Sequence, residues 1–112
     1  MKKHAYLIMA HNEFHTLENL LKALDDERND IYIHIDKKAG NVDTDMLRGA
    51  VHRSGIFFIK RRKIYWGTLS IVKCELDLLS SATKEEYHYY HLISGVDFPL
   101  KSQDYIHDFL EN

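Results

Sequence analysis

Ala5-Tyr6-Leu7-Ile8-Met9-Ala10 is an unbroken apolar run. A strand without polar alternation has to be covered on both faces. A sheet with helices on either side gives it that cover. His11-Asn12 ends the run, and Phe14, Leu17, Leu20, Leu21 and Leu24 then recur at helical spacing with Glu13, Glu18 and Lys22 between them. Such a stripe predicts a helix docked on the sheet. Strand followed by docking helix is the repeating unit of a parallel α/β fold.

The unit repeats down the chain. After a polar loop over residues 25–29, Ile31-Tyr32-Ile33-His34-Ile35 reads as a β-branched second strand ending at Asp36. A Gly-containing basic loop follows, over residues 37–41. Asp43 or Thr44 then caps a short helix carrying Met46, Leu47, Ala50 and Val51. Ile56-Phe57-Phe58-Ile59 is a third strand, followed by the basic stretch Lys60-Arg61-Arg62-Lys63. Thr68 or Ser70 caps a further helix, for which Leu69, Val72, Leu76 and Leu79 form the expected buried stripe. Residues 87–93 make a fourth strand. Phe98-Pro99 breaks the chain, and Ser102 starts a last helix with Tyr105, Ile106, Phe109 and Leu110 on one face.

The order β-α-β-α-β-α-β-α implies right-handed crossovers and a mostly parallel sheet with flanking helices. The 112 residues read as one domain. With 45% apolar and 29% charged residues the chain has the balance of a folded globule, not of a disordered one. A net charge of −2 argues against nucleic acid as a partner, although the basic stretch stands next to Tyr65 and Trp66. The six-residue apolar run at the N-terminus is shorter than a signal-peptide core of about 7–15 residues. No segment reaches the roughly 20 residues of a membrane span. Cys74 has no second cysteine to pair with. These features point to the cytoplasm, with peripheral attachment at the inner membrane face as the variant.

In a parallel sheet, ligands bind beyond the carboxyl ends of the strands. That collects His11-Asn12, residues 34–37, residues 61–67 and residues 94–97 around one crevice. Asp36 is an acceptor there, suited to a ribose hydroxyl or a base N–H, or else a turn aspartate without a ligand. Lys37 and Lys38 follow it and either face a diphosphate or, for at least one of them, belong to a solvated loop. The eight histidines do not assemble a metal set, since no cysteine or second carboxylate completes one. Asp43-Thr44-Asp45 has the form of a metal-binding Asp-x-Asp pair, yet it stands where a helix cap is expected. Glycine-rich dinucleotide, Walker and Gly-x-Ser-x-Gly signatures are absent.

Four stretches carry a family resemblance. They are residues 5–12, Ile31-Tyr32-Ile33-His34-Ile35-Asp36-Lys37, Tyr65-Trp66-Gly67, and residues 91–102, which read His-Leu-Ile-Ser-Gly-Val-Asp-Phe-Pro-Leu-Lys-Ser. In this order and spacing they resemble the core-2/I-branching β-1,6-N-acetylglucosaminyltransferases, a family that includes peptide xylosyltransferases. The resemblance implies a GT-A (Rossmann-like) nucleotide-sugar-binding half-domain, with the acceptor-binding half absent. It also implies an inverting transfer from a UDP-sugar, UDP-GlcNAc or UDP-xylose, to a glycan acceptor. The implied donor-binding residues are His11, Asp36, Lys37, Trp66, Gly67, Ser94, Gly95 and Asp97. The family's metal position reads Ser94-Gly95-Val96-Asp97 here, with one carboxylate, so the expectation is neither metal nor other cofactor. The catalytic base is expected beyond residue 112, the isolated chain is expected to be inactive, and an uncovered sheet edge favours self-association. The competing reading is a non-catalytic α/β module that binds a nucleotide or a protein. A receiver-like module would need acidic residues after the first strand, where this chain has His11-Asn12.

Overall fold

In a computed structural model, which describes residues 3–65 and 68–94, the first apolar run becomes strand β1 (His4–Ala10). It lies between β2 (Asn29–Ile35) and β4 (Tyr89–Ser94) and is parallel to both. The third strand, β3 (Gly55–Phe58), pairs in parallel with β2, so the order is β3-β2-β1-β4. One further ladder bond, from Ile59 N–H to the Ile33 carbonyl, prolongs β3 by a residue. The sheet is therefore wholly parallel among the described residues, and the chain is an α/β fold consistent with a GT-A-like half-domain. No helix among those residues is long and apolar enough to cross a membrane.

Side-chain alternation divides the central strands between two cores. Tyr6, Ile8 and Ala10 of β1, with Ile31, Ile33 and Ile35 of β2, face helix α1 (Phe14–Leu24). There they meet Leu17, Leu20, Leu21 and Leu24, all fully buried as the leucine spacing requires. Leu47 of the short helix α2 (Thr44–Arg48) closes the same core, together with Ala50 and Val51 just past the helix end. Ala5, Leu7 and Tyr32 point the other way, towards helix α3 (Leu69–Ala82).

Helix α3 departs from its expected orientation. Leu69, Val72, Leu76 and Leu79 are exposed, at 72%, 49%, 58% and 37%, while Cys74, Leu78 and Ala82 are fully buried. Both sets recur at helical spacing, so periodicity alone does not choose between them. Close approach decides it. The buried face carries the small residues Cys74 and Ala82 where the helix lies against Ala5 and Leu7. An ion pair from Arg62, in the loop after β3, to Asp77 fixes the rotation from one side. Tyr90 and Leu92 pair in register with Ala5 and Leu7, on the α3 side, and are also exposed because α3 packs on β1 and β2. Burial pushes the Cys74 thiol up to about 12, so this cysteine is packing and not a nucleophile.

The amino ends of the strands are tied by polar side chains. Asp26, 6% exposed, takes a two-pronged bond from Arg28, with Nε at 2.8 Å and Nη2 at 2.7 Å. This guanidinium holds the Asp26 carboxyl down at about 2, from an ordinary 3.8. A depressed carboxyl adds stability above its unfolded-state value and loses it as pH falls through the folded one. Wild-type chain should therefore lose roughly 1–2 kcal/mol between about pH 4 and pH 2 through this group, after allowance for solvent screening. Urea melts across that window would read it. An Asp26→Asn variant should show a flatter dependence, and an unchanged slope would refute the assignment.

Candidate functional site

Three connections leave the carboxyl ends of β1, β2 and β3 and are bound to one another there. The Asp36 N–H donates to the Ala10 carbonyl at 2.8 Å, and the Lys37 N–H donates to the Arg62 carbonyl at 3.0 Å. Asp36 is the hub. Its Oδ1 accepts from Lys38 N–H at 2.9 Å, capping the short 3-10 turn Lys37–Ala39, and from Ile64 N–H at 3.2 Å. Its Oδ2 has the Lys38 ammonium at 3.7 Å. Arg61 clamps the end of β2 from outside, donating through Nε to the Ile35 carbonyl at 3.1 Å and through Nη2 to the Asp36 carbonyl at 2.8 Å. Asp36 is 4% exposed. Its carboxylate holds this crevice together whether or not it also touches a ligand.

A cavity of about 390 Å³ opens beside that hub, within the usual size of a small-molecule site. Lys37, Arg61, Arg62, Lys63 and Lys73 line it, with Tyr65 and the Ser70 hydroxyl between them. No carboxylate is among the described residues of its lining. The first turn of α3 forms one wall. Thr68 caps that helix at Ser70 N–H, and the Ser70 hydroxyl accepts from Tyr65 N–H at 2.8 Å. The Lys38 ammonium stands 4.4 Å from the centre of the Tyr65 ring. Concentrated positive charge beside a helix amino end attracts phosphate. Arg61 and Arg62 are engaged on carbonyls and on Asp77, whereas Lys37, Lys63 and Lys73 are exposed.

On the inner side of Asp36 lies a second, much smaller recess, of about 10 Å³, bordered by Met9, Ala10, His11, His34, Asp36 and Ile64. His11 and Asp36, two residues expected at the site, thus meet here, and Lys37 meets the basic cavity. Ser94 ends β4 opposite Met9, at the same level of the sheet. Trp66, Gly67, Gly95 and Asp97 lie outside the described residues, as does the helix expected from Ser102. The loop between β1 and α1 carries one unusual conformation. Glu13 has φ 54° and ψ 51°, a left-handed geometry that costs a non-glycine residue on the order of 1 kcal/mol.

Asp43, of the Asp-x-Asp pair, is a helix cap: its Oδ1 accepts from Met46 N–H at 3.0 Å. Among the described residues no group of three or more His, Cys, Asp or Glu comes together in a way that would hold a metal ion. His34 and Ile64 lie in the segments expected around the crevice, but neither was singled out as a donor-binding residue. A polar residue interrupting the apolar strand 31–35 was the available signal for His34. Ile64 gave none, because its role rests on a backbone N–H.

The model of the Core-2/I-Branching enzyme family matches residues 4–112. Over 115 aligned residues the chain is 26% identical to an N-acetyllactosaminide beta-1,6-N-acetylglucosaminyl-transferase of Mus musculus. The alignment covers 96% of this chain and 28% of the mouse protein. A match over nearly its whole length means that this chain belongs to the Core-2/I-Branching enzyme family and is a domain of the glycosyltransferase class.

Proposed function

We propose that this chain binds the nucleotide-sugar donor, a UDP-sugar, for inverting transfer to a glycan hydroxyl. The observation that carries the reading is the lysine-lined cavity beside Asp36, with no carboxylate among the described residues of its lining, at the carboxyl ends of parallel strands. In such a transfer the acceptor oxygen attacks the anomeric carbon, the bond to the diphosphate breaks, and UDP leaves with the bonding electrons. Charge then grows on the diphosphate oxygens. Exposed ammonium groups on Lys37, Lys63 and Lys73 would offset it without any proton transfer. The name of the mouse relative favours N-acetylglucosamine as the sugar and a β-1,6 linkage, with xylose as the second candidate.

The acceptor proton needs a base. Asp36 is engaged by backbone N–H groups, which leaves it poorly placed for that task. We assign the base to the part of the mouse relative's length that lies outside the alignment, which covers 28% of that protein, so these residues alone should bind donor without transferring sugar.

Titration with UDP, UMP, ADP and GDP, with and without Mn²⁺, is the test. UDP should bind in preference, with amide shifts clustered at residues 36–38 and 61–65. Radiolabelled UDP-GlcNAc should give no transfer above background. Shifts elsewhere, or no preference among nucleotides, would favour the non-catalytic module. Transfer scaling linearly with protein would place the whole active site in these residues.

A further inference from the structure

Helix α3 is turned so that an apolar flank is left uncovered on the side of β4. Arg62, in the loop after β3, holds Asp77 and so marks the flank that faces β3. At about 100° per residue, Val72 and Leu79 lie about 140° and 160° around the helix from Asp77, on the opposite flank. Leu76 and Leu69 stand nearer to it, at about 100° and 80°, on the outer crest. The exposures follow that order, with 37% and 49% for Leu79 and Val72 against 58% and 72% for Leu76 and Leu69.

The edge strand beside that flank is bare on the same face. Tyr90 and Leu92 of β4 point to the α3 side and are 38% and 44% exposed. The other face of β4 is covered: Ile93 packs against the α1 core, and the His91 ring stacks on Tyr6 at 4.5 Å. Helix α3 itself rests on β1 and β2. With strands about 4.8 Å apart and packed helices about 8–10 Å apart, one more helix fits over β4, alongside α3. Val72 and Leu79 are the wall of that slot, and Tyr90 and Leu92 its floor.

Chain direction says what fills it. Helices α1 and α2 accompany the chain from β1 towards β3 and share one face of the sheet; α3 carries the chain back past β1 and lies on the other. A right-handed connection that leaves β4 outward, continuing that return, stays on the α3 face. Residues 95–112, outside the described residues, follow β4 and bring the stripe of Tyr105, Ile106, Phe109 and Leu110. A helix after β4 starts at the carboxyl end of the sheet, as α3 does. The two helices then run side by side in the same direction, with Ile106 level with Val72 and Phe109 towards Leu79.

We propose that residues 102–110 dock as a helix in the slot between α3 and β4, laying Ile106 and Phe109 against Val72, Leu79 and Leu92. Leu69 and Leu76 stay on the crest, in water. Docking holds residues 95–101, with Gly95 and Asp97, between two fixed ends at the carboxyl side of the sheet. This packing does not depend on which nucleotide binds.

Nuclear Overhauser contacts in the whole, wild-type chain are the first measurement. Phe109 ring protons should contact the Leu79 methyls, and the Ile106 methyls those of Val72. An equal mixture of isotope-labelled and unlabelled chain separates contacts within a chain from contacts between chains. Thiol labelling is the second measurement. Val72→Cys should react about tenfold more slowly than Ser80→Cys, an exposed position on the β3 side, since cover limits access to the thiolate. Adding Ile106→Asp should raise the Val72→Cys rate to that of Ser80→Cys and leave Ser80→Cys unchanged. Buried Cys74 reports folding in the same samples and should stay unlabelled. If Ile106→Asp exposes Cys74 as well, the wild-type contacts decide. Absence of those contacts, or equal rates at positions 72 and 80 without Ile106→Asp, overturns the proposal. Contacts found only between labelled and unlabelled chains overturn it too, and give the slot to a second copy.

Discussion

Leu78→Ala should lower the unfolding free energy by about 2–5 kcal/mol, and Leu76→Ala, on the same helix, by less than about 0.5 kcal/mol. Leu78 is fully buried among Leu7, Cys74 and Ala82, in the core that joins α3 to the sheet. Truncating it removes the transfer energy of its methyl groups and leaves a cavity that the surrounding core fills only in part. Leu76 is 58% exposed, so little of its surface was withdrawn from water to begin with. Urea denaturation monitored by circular dichroism would measure both. Equal losses would mean that the Leu69, Val72, Leu76 and Leu79 stripe is buried after all, as the spacing first suggested. The contrast is large because two leucines of identical chemistry differ only in which way the helix is turned.

The same helix shows where sequence reasoning stops. Strand 5–10 was legible because an apolar run without alternation admits cover on two faces only. Helix α1 was legible because Leu17, Leu20, Leu21 and Leu24 form its sole apolar stripe. Helix α3 offers two stripes, and the larger leucines occupy the outward one. The choice was made by contact distance, with Cys74 and Ala82 small enough to lie against Ala5, and by Asp77 reaching Arg62. Neither effect has a period. The site followed the same division. His11, Asp36 and Lys37 come to the strand ends because chain order and parallel pairing put them there. The part played by Ile64 N–H and Arg61 depends on how one loop folds over another. A strand polar residue such as His34 signals that something polar is needed, without saying which nitrogen is needed or why.

Asp36→Ala should be among the most damaging single changes at the site, costing about 2–4 kcal/mol of stability. Its carboxylate accepts two backbone N–H groups, from Lys38 and from Ile64, in a spot where Asp36 is 4% exposed and Ile64 5%. Alanine leaves both donors without that acceptor, and each such loss costs about 1–3 kcal/mol where water cannot replace it. It also unties the loop after β3 from the end of β2, so the lysines of the basic cavity lose their common frame. Asp36→Asn divides the two roles of this residue. Its side-chain oxygen can still accept from both N–H groups, so the fold should survive with a loss below about 1.5 kcal/mol. What it removes is the negative charge and the acceptor at Oδ2, which faces the Lys38 ammonium. If Asp36 also receives a hydrogen bond from the nucleotide, Asp36→Asn should weaken UDP binding about tenfold while melting near wild type. Unchanged UDP affinity in a stable Asp36→Asn would confine Asp36 to the tie between the loops, and recognition of the base would then rest on its neighbours. A variant as unstable as Asp36→Ala would mean that the charge, through the Lys38 ammonium at 3.7 Å, matters more to the fold than the two backbone bonds.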